Sequence, residues 1–170
     1  NIAKGIGSRT SRIGYAFSED GIHFQHHGAP VLYPGGDEWT DFDAPGGCED
    51  PRVCMTEDGL YVMTYTSWNH KLARLSVATS RDLVHWTNHG PIFSDEHKSQ
   101  LSKGYSKSGS IVTEIKNGRQ VIARINGKYM MYWGENFVNI ATSDDLIHWT
   151  PMLAPDGKLL HVMDTRKGYF

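Results

Sequence analysis

Two carboxylates stand where proton transfer would be chemically useful. Asp50 lies in Gly46-Gly47-Cys48-Glu49-Asp50-Pro51-Arg52-Val53, entered from Asp41-Phe42-Asp43. Adjacent acids, a φ-locked proline and an arginine follow a glycine pair that lets the backbone turn sharply. Glu135 follows Trp133-Gly134. Facing one another across a sugar, such acids suit glycoside cleavage. One carboxyl protonates the leaving oxygen and the other activates a water on the opposite face, at a separation of about 6.5–9.5 Å in an inverting enzyme. Arg52, Trp68, Asn69, Arg74, Tyr105 and Lys107 are the candidate substrate-binding residues. Trp68 and Tyr105 offer flat apolar faces to a pyranose ring, whereas Tyr65 and Trp133, at matching positions, read as core. Two plainer readings compete: Asp-Pro is an ordinary turn opener, and Glu49 or Asp50 can simply pair with Arg52.

The elements that must position these residues come from a repeat. Tyr15-Ala16-Phe17-Ser18-Glu19-Asp20-Gly21-Ile22-His23-Phe24 is matched by Val77 to Trp86 and by Ile140 to Trp149, and the aromatic positions 24, 86 and 149 lie 62 and 63 residues apart. Asp58-Gly59-Leu60-Tyr61-Val62-Met63-Thr64-Tyr65 is matched by Asn126-Gly127-Lys128-Tyr129-Met130-Met131-Tyr132-Trp133, with an insertion around Lys116 to Ala123 in the later copy. Self-similarity at a fixed period marks a repeat fold. Each unit reads as four strands with no helical segment. The first complete unit has strands at Arg52 to Met55, Leu60 to Thr66, Arg74 to Thr79 and Trp86 to Phe93. The second has them at Ser110 to Ile115, Lys128 to Trp133, Val138 to Thr142 and after Trp149. Four-strand units of this length are propeller blades. The expectation is an all-β partial propeller: an incomplete blade at 1–45, then blades at 46–100 and 101–165, from a longer chain whose other blades close the ring.

The repeat also separates scaffold from site. Asp20, Asp82 and Asp145 recur, as do His23, His85 and His148, so they are assigned to turn geometry. The Glu49-Asp50-Pro51-Arg52 cluster has Lys107-Ser108-Gly109-Ser110 as its counterpart, and Glu135 is likewise unmatched. If the first strand of each blade lines the axis, Asp50 and Lys107 face one central funnel.

Composition narrows the classes. Seventeen basic and nineteen acidic residues leave a net charge of −2, which does not favour nucleic acid. No apolar run reaches membrane-spanning length and the first residues are no signal sequence, so a soluble protein is expected, with cytoplasm and periplasm both open. Cys48 and Cys54 flank a strand too long to bridge, and neither joins a metal-ligand pattern. No metal or organic cofactor is expected. Homo-oligomerisation is left open.

The segments Gly46 to Arg52, Tyr61 to Thr66, Ala78 to Trp86 and Gly127 to Gly134 resemble glycoside hydrolase family 130 over essentially the whole chain. The resemblance implies a five-bladed β-propeller acting on β-mannosides, by hydrolysis in some members and phosphorolysis in others. It implies that Asp50 is the general acid. It also makes Glu135 similar to the glutamates that activate water in the β-1,2-mannosidases, where phosphorylases place arginine and lysine around phosphate. A second such glutamate is expected beyond Phe170. The leading expectation is an inverting β-mannosidase. The alternatives are a β-mannoside phosphorylase that takes inorganic phosphate as co-substrate and releases mannose 1-phosphate, and a non-catalytic glycan-binding propeller.

Overall fold

A computed structural model describes residues 9–93, 106–164 and 168 of the chain. The structure is nearly all β. A two-stranded ribbon, β1 (Ala16–Phe17) with β2 (Gln25–His26), precedes a helical turn, α1 (Thr40–Asp43), which departs from the expectation of no helix. A four-stranded antiparallel meander follows, β3 (Gly47–Met55), β4 (Tyr61–Trp68), β5 (Ala73–Ser80) and β6 (Trp86–Pro91), in spatial order. β3 starts five residues earlier than expected, because Gly47, Cys48 and Glu49 already pair with Trp68, Ser67 and Thr66.

The second unit is less regular. The expected strand Ser110 to Ile115 is two strands, β7 (Ser110–Ile111) and β8 (Thr113–Lys116), and only the first pairs within the main sheet. β8 turns through Asn117 and Gly118, both at positive φ, into β9 (Arg119–Ile122). The inserted residues are therefore a hairpin of their own, built on the dipeptide best suited to such a turn. β10 (Arg124–Ile125), β11 (Lys128–Trp133), β12 (Val138–Ser143) and β13 (Thr150–Pro151) continue the sheet, and β14 (His161–Met163) pairs with β12. Among the described residues no helix is long and apolar enough to cross a membrane.

β4 explains how the units stack. Its even positions and its odd positions point to opposite faces, as strand geometry requires. Val62 joins Leu75, Val77, Ile92, Met131, Trp133 and Trp149 in a core shared with the second sheet, whereas Met63 and Tyr65 join Ile13, Leu32 and Cys48 in a core shared with the first segment. Both faces of one sheet are thus covered, so β4 is an almost unbroken buried run. Cys48 is buried and Cys54 half-buried, and both are free thiols. Burial pushes the Cys48 thiol well above its ordinary range, which leaves it inert.

The recurring Ser-x-Asp-x-x-His segments form one turn built three times. In the last, Asp145 Oδ1 accepts the backbone N–H groups of Ile147 and His148 at 2.9 and 2.8 Å, and its Oδ2 lies 2.7 Å from His148 Nδ1. Asp82 and Asp20 repeat this set with His85 and His23. The residue after each aspartate, Gly21, Leu83 or Leu146, has positive φ. Burial alone pushes the Asp145 carboxyl up, but the His148 ring and the two N–H groups outweigh it and hold the carboxyl well below the ordinary range. A depressed carboxyl stabilises the fold above its unfolded-state value and loses that contribution as pH falls through the folded one. Asp145→Ala is expected to cost about 1–2 kcal/mol at neutral pH, reduced by its partial exposure. The deficit should narrow as chemical unfolding is repeated at pH values progressively below 4.

Candidate active site

The start of β3 is shaped before any side chain is considered. Gly47, at φ 122°, lies so close to Ser11 that a Cβ there would enter the Ser11 backbone. This close approach lets Ser11 N–H donate to the Gly46 carbonyl at 2.8 Å and the Ser11 carbonyl accept from Cys48 N–H at 3.1 Å. The Ser11 hydroxyl then donates to Glu49 Oε1 at 2.8 Å. One residue on, Asp50 adopts φ 50° at a bulge where the β3–β4 register shifts between Glu49 and Arg52. Bulges of this kind re-aim a side chain out of the ladder, and aspartate tolerates the left-handed region better than most residues. Asp50 is exposed, and Arg52 Nη1 reaches back to the Asp50 carbonyl at 3.4 Å.

The counterpart in the next unit uses the same backbone device. Ser108, which aligns with Asp50, also has positive φ, at 59°. Left-handed backbone at this point is therefore scaffold, and the carboxylate is what only one unit carries. The segment around Ser108 is pinned to the preceding sheet. Ser106 N–H donates to the Ala73 carbonyl and its hydroxyl accepts from Leu75 N–H, while Thr64 Oγ1 donates to the Gly109 carbonyl at 2.8 Å.

Between these anchors Lys107 turns to Glu135, with Nζ 2.9 Å from Oε1, the two side chains 30% and 39% exposed. Gly134 N–H donates to the Lys107 carbonyl at 3.0 Å, so backbone and side chains both bind the two segments together. Gly134 is required there: its φ is 135°, and a Cβ would strike the Phe137 carbonyl. Asn139 closes the same loop by donating to the carbonyls of Trp133 and Phe137. The hydrogen bond from Lys107 to Glu135 raises the lysine above its ordinary range, and the charges of Asp50 and Glu49 add to the effect. Glu135 thus acts on the Lys107 ammonium by direct contact, and Asp50 and Glu49 act on it through their charge.

The other candidates are held in different ways. Trp68 ends β4, half-buried, with its ring against Gly46 and tilted toward His70 at a centroid distance of 6.0 Å. Asn69 is engaged at both ends of its amide: Nδ2 donates to the Asp41 carbonyl at 2.9 Å and Oδ1 accepts from Lys71 and Leu72 N–H groups. It shapes the β4–β5 loop. Arg74 lies on β5 opposite Ser67, partly buried, with Nη1 donating to the Ala73 carbonyl at 3.3 Å. Burial lowers its basicity. Tyr105 lies outside the described residues. Tyr65 and Trp133 are core, as their matching positions indicate. Glu49, which the sequence places in the unmatched cluster without a role, is held by Ser11 beside the candidate acid. Its signal was adjacency to Asp50, but its partner Ser11 is 38 residues away and belongs to no motif. Among the described residues no group of three or more His, Cys, Asp or Glu is placed to hold a metal ion.

Known proteins share this architecture. A family model described as beta-1,4-mannooligosaccharide phosphorylase matches residues 4–170. The 1,2-beta-oligomannan phosphorylase of Thermoanaerobacter sp. (strain X514) is 32% identical over 155 residues, covering 88% of this chain and 45% of its own length. A putative glycosidase from Bacteroides thetaiotaomicron VPI-5482 is 58% identical, with a TM-score of 0.89 over 99% of this chain and 48% of its own. A further solved structure is 54% identical, with a TM-score of 0.90 over 98% of this chain and 46% of its own. It comes from work on glycoside hydrolases, within the GH130 family of mannoside phosphorylases, that target beta-1,2 mannosidic linkages in Candida mannan. The chain therefore spans about half the length of these relatives.

Proposed function

The chain belongs to glycoside hydrolase family 130, and from that premise we propose that it is part of a five-bladed β-propeller that hydrolyses β-1,2-linked mannosides with inversion. Asp50 is the general acid and Glu135 contributes to activating the water. Arg52 positions the Asp50 backbone, Lys107 holds Glu135, and Trp68 offers a sugar-stacking face. Arg74, Asn69 and Tyr105 complete the substrate-binding set.

The observation that carries hydrolysis over phosphorolysis is the charge around Lys107. A phosphate dianion needs uncommitted cations, yet Lys107 is already bonded to Glu135 and feels the negative charges of Asp50 and Glu49. Placing a dianion beside Glu135, in the field of two further carboxylates, is repulsive at any realistic dielectric, whereas a water there meets a base within reach. The greater identity to the solved structure described as a putative glycosidase, 58% against 32% for the curated phosphorylase, supports the same reading. The phosphorylase reading is favoured by the names of the curated relatives and by the cations Arg52 and Arg74, which would serve as phosphate ligands.

The full polypeptide, incubated with β-1,2-mannobiose, is expected to release mannose at the same rate with and without inorganic phosphate, the α-anomer forming first. Mannose 1-phosphate formed only when phosphate is present would overturn hydrolysis in favour of phosphorolysis.

A further inference from the structure

Beside Cys48 of β3, the strand that carries the proposed acid, lies a carboxyl that the mechanism above does not use. Asp43 ends α1 and is 1% exposed. Neither of its oxygens makes a hydrogen bond of ordinary geometry among the described residues. The polar side chains within its reach are the Ser67 hydroxyl, the Cys48 thiol and the Asn88 amide. Asn88 is itself committed, accepting from Tyr65 Oη at 2.8 Å and donating to Asp37 Oδ2 at 2.9 Å. The helix that carries Asp43 is seated by Trp39, whose ring fills the space a side chain at Gly90 would need.

We propose that Asp43 is a positioning residue for the acid pair of β3, acting as a neutral carboxyl that donates to Ser67 and packs against Cys48, and so fixes the point from which Glu49 and Asp50 depart. The proposal rests on the reading of Asp50 as the acid. Ser67 pairs with Cys48 across the β3–β4 ladder, two residues before Asp50. Its hydroxyl is in short contact with that of Ser76, and Ser76 Oγ lies 3.5 Å from the Arg74 carbonyl. A proton on Asp43 gives this row one direction: Asp43 to Ser67, Ser67 to Ser76, Ser76 to the carbonyl. Ionising Asp43 takes away the first donor and leaves a bare charge in the core.

The surroundings favour the neutral form up to about pH 6. Burial raises the carboxyl from 3.8 to about 6, Ser67 opposing the shift and the negative charge of Asp37 adding to it. The facing groups are Asp37 from the preceding loop, Cys48 from β3, Tyr65 and Ser67 from β4 and Asn88 from β6. Among these no cation offsets the charge. A carboxyl raised in the folded state binds more protons than in the unfolded one between those two values. Stability therefore falls as pH climbs through that window and stays lower above it.

The test uses the full polypeptide. Asp43→Asn keeps a neutral donor. It is expected to hold kcat within about threefold at pH 5, to flatten the dependence of Tm on pH between 4 and 7, and to remove the infrared band of a protonated carboxyl. Asp43→Leu and Ser67→Ala remove the donor and its acceptor. Each is expected to lower kcat by about 10- to 100-fold with KM nearly unchanged, the signature of a reacting group displaced by a fraction of an ångström. If Asp43→Leu fails to fold, Ser67→Ala decides the point alone. Wild-type kcat in folded Ser67→Ala would overturn the positioning role, and a wild-type pH dependence of Tm in Asp43→Asn would overturn the neutral carboxyl. If the wild-type protein turns over no mannoside, the functional reading fails. The infrared band, and amide exchange of residues 47–52 in Ser67→Ala, then still decide the role of Asp43: faster exchange supports it and unchanged exchange overturns it.

Discussion

Asp50→Asn is expected to lower turnover of β-1,2-mannobiose by at least 10²- to 10⁴-fold, the usual contribution of a positioned general acid. The structure makes this an unusually clean substitution. Asp50 is exposed and sits in left-handed backbone, φ 50°, a region that asparagine enters as readily as aspartate. The amide keeps the shape and gives up only the ability to donate an acid proton to a departing oxygen. Unfolding should therefore be unchanged within about 0.5 kcal/mol, as for a surface change that touches no special feature. A substrate with an activated leaving group, which departs without protonation, should recover much of the loss. Near-normal activity toward mannobiose would remove Asp50 from the mechanism.

Gly47→Ala should have the largest effect on the fold. The methyl group would have to occupy the position of the Ser11 backbone, and φ at this residue is 122°. Moving Ser11 away breaks its backbone hydrogen bonds to Gly46 and Cys48 and releases Glu49 from the Ser11 hydroxyl. Strain and lost pairing together are expected to cost about 3–5 kcal/mol, read as a lower urea midpoint with a nearly unchanged slope. Gly59→Ala is the matched control. That glycine also has positive φ, at 84°, but a Cβ there meets nothing, so a cost of about 1 kcal/mol is expected. Equal destabilisation by the two substitutions would show that conformation alone, and not the contact with Ser11, is what Gly47 provides.

What the sequence made legible was local. The meander β3 to β6 and the three aspartate-histidine turns follow from patterns written within a dozen residues, where alternation and a capping carboxylate act on their immediate neighbours. The hairpin β8–β9 was written just as locally, in Asn117-Gly118, but the repeat drew attention to what it interrupts and not to what it forms. Left-handed backbone at Asp50 was harder to see, since only comparison with Ser108 shows it to be a property of the position. The bond that holds Glu49 and the burial of Asp43 were not legible. The first depends on a serine from the preceding segment. Asp43 is buried by elements from four parts of the chain, and no spacing announces that. Lys107 and Glu135 each stand out in the sequence as unmatched between the units. Their pairing comes from the way two loops close on each other, which sequence distance does not encode.

The anchoring of each unit's opening residues on the sheet before it has a consequence for how the molecule comes apart. Ser106 and Gly109 belong in sequence to the second unit but hang from β4 and β5, just as Ser11 clasps the start of β3 and Trp149 N–H bonds the Ile92 carbonyl. The boundaries of the repeats therefore overlap like roof tiles, and no tile lifts without disturbing its neighbour. Such an array is expected to melt as one body, and the loops of the candidate site, sitting at the overlaps, are held by two sheets at once.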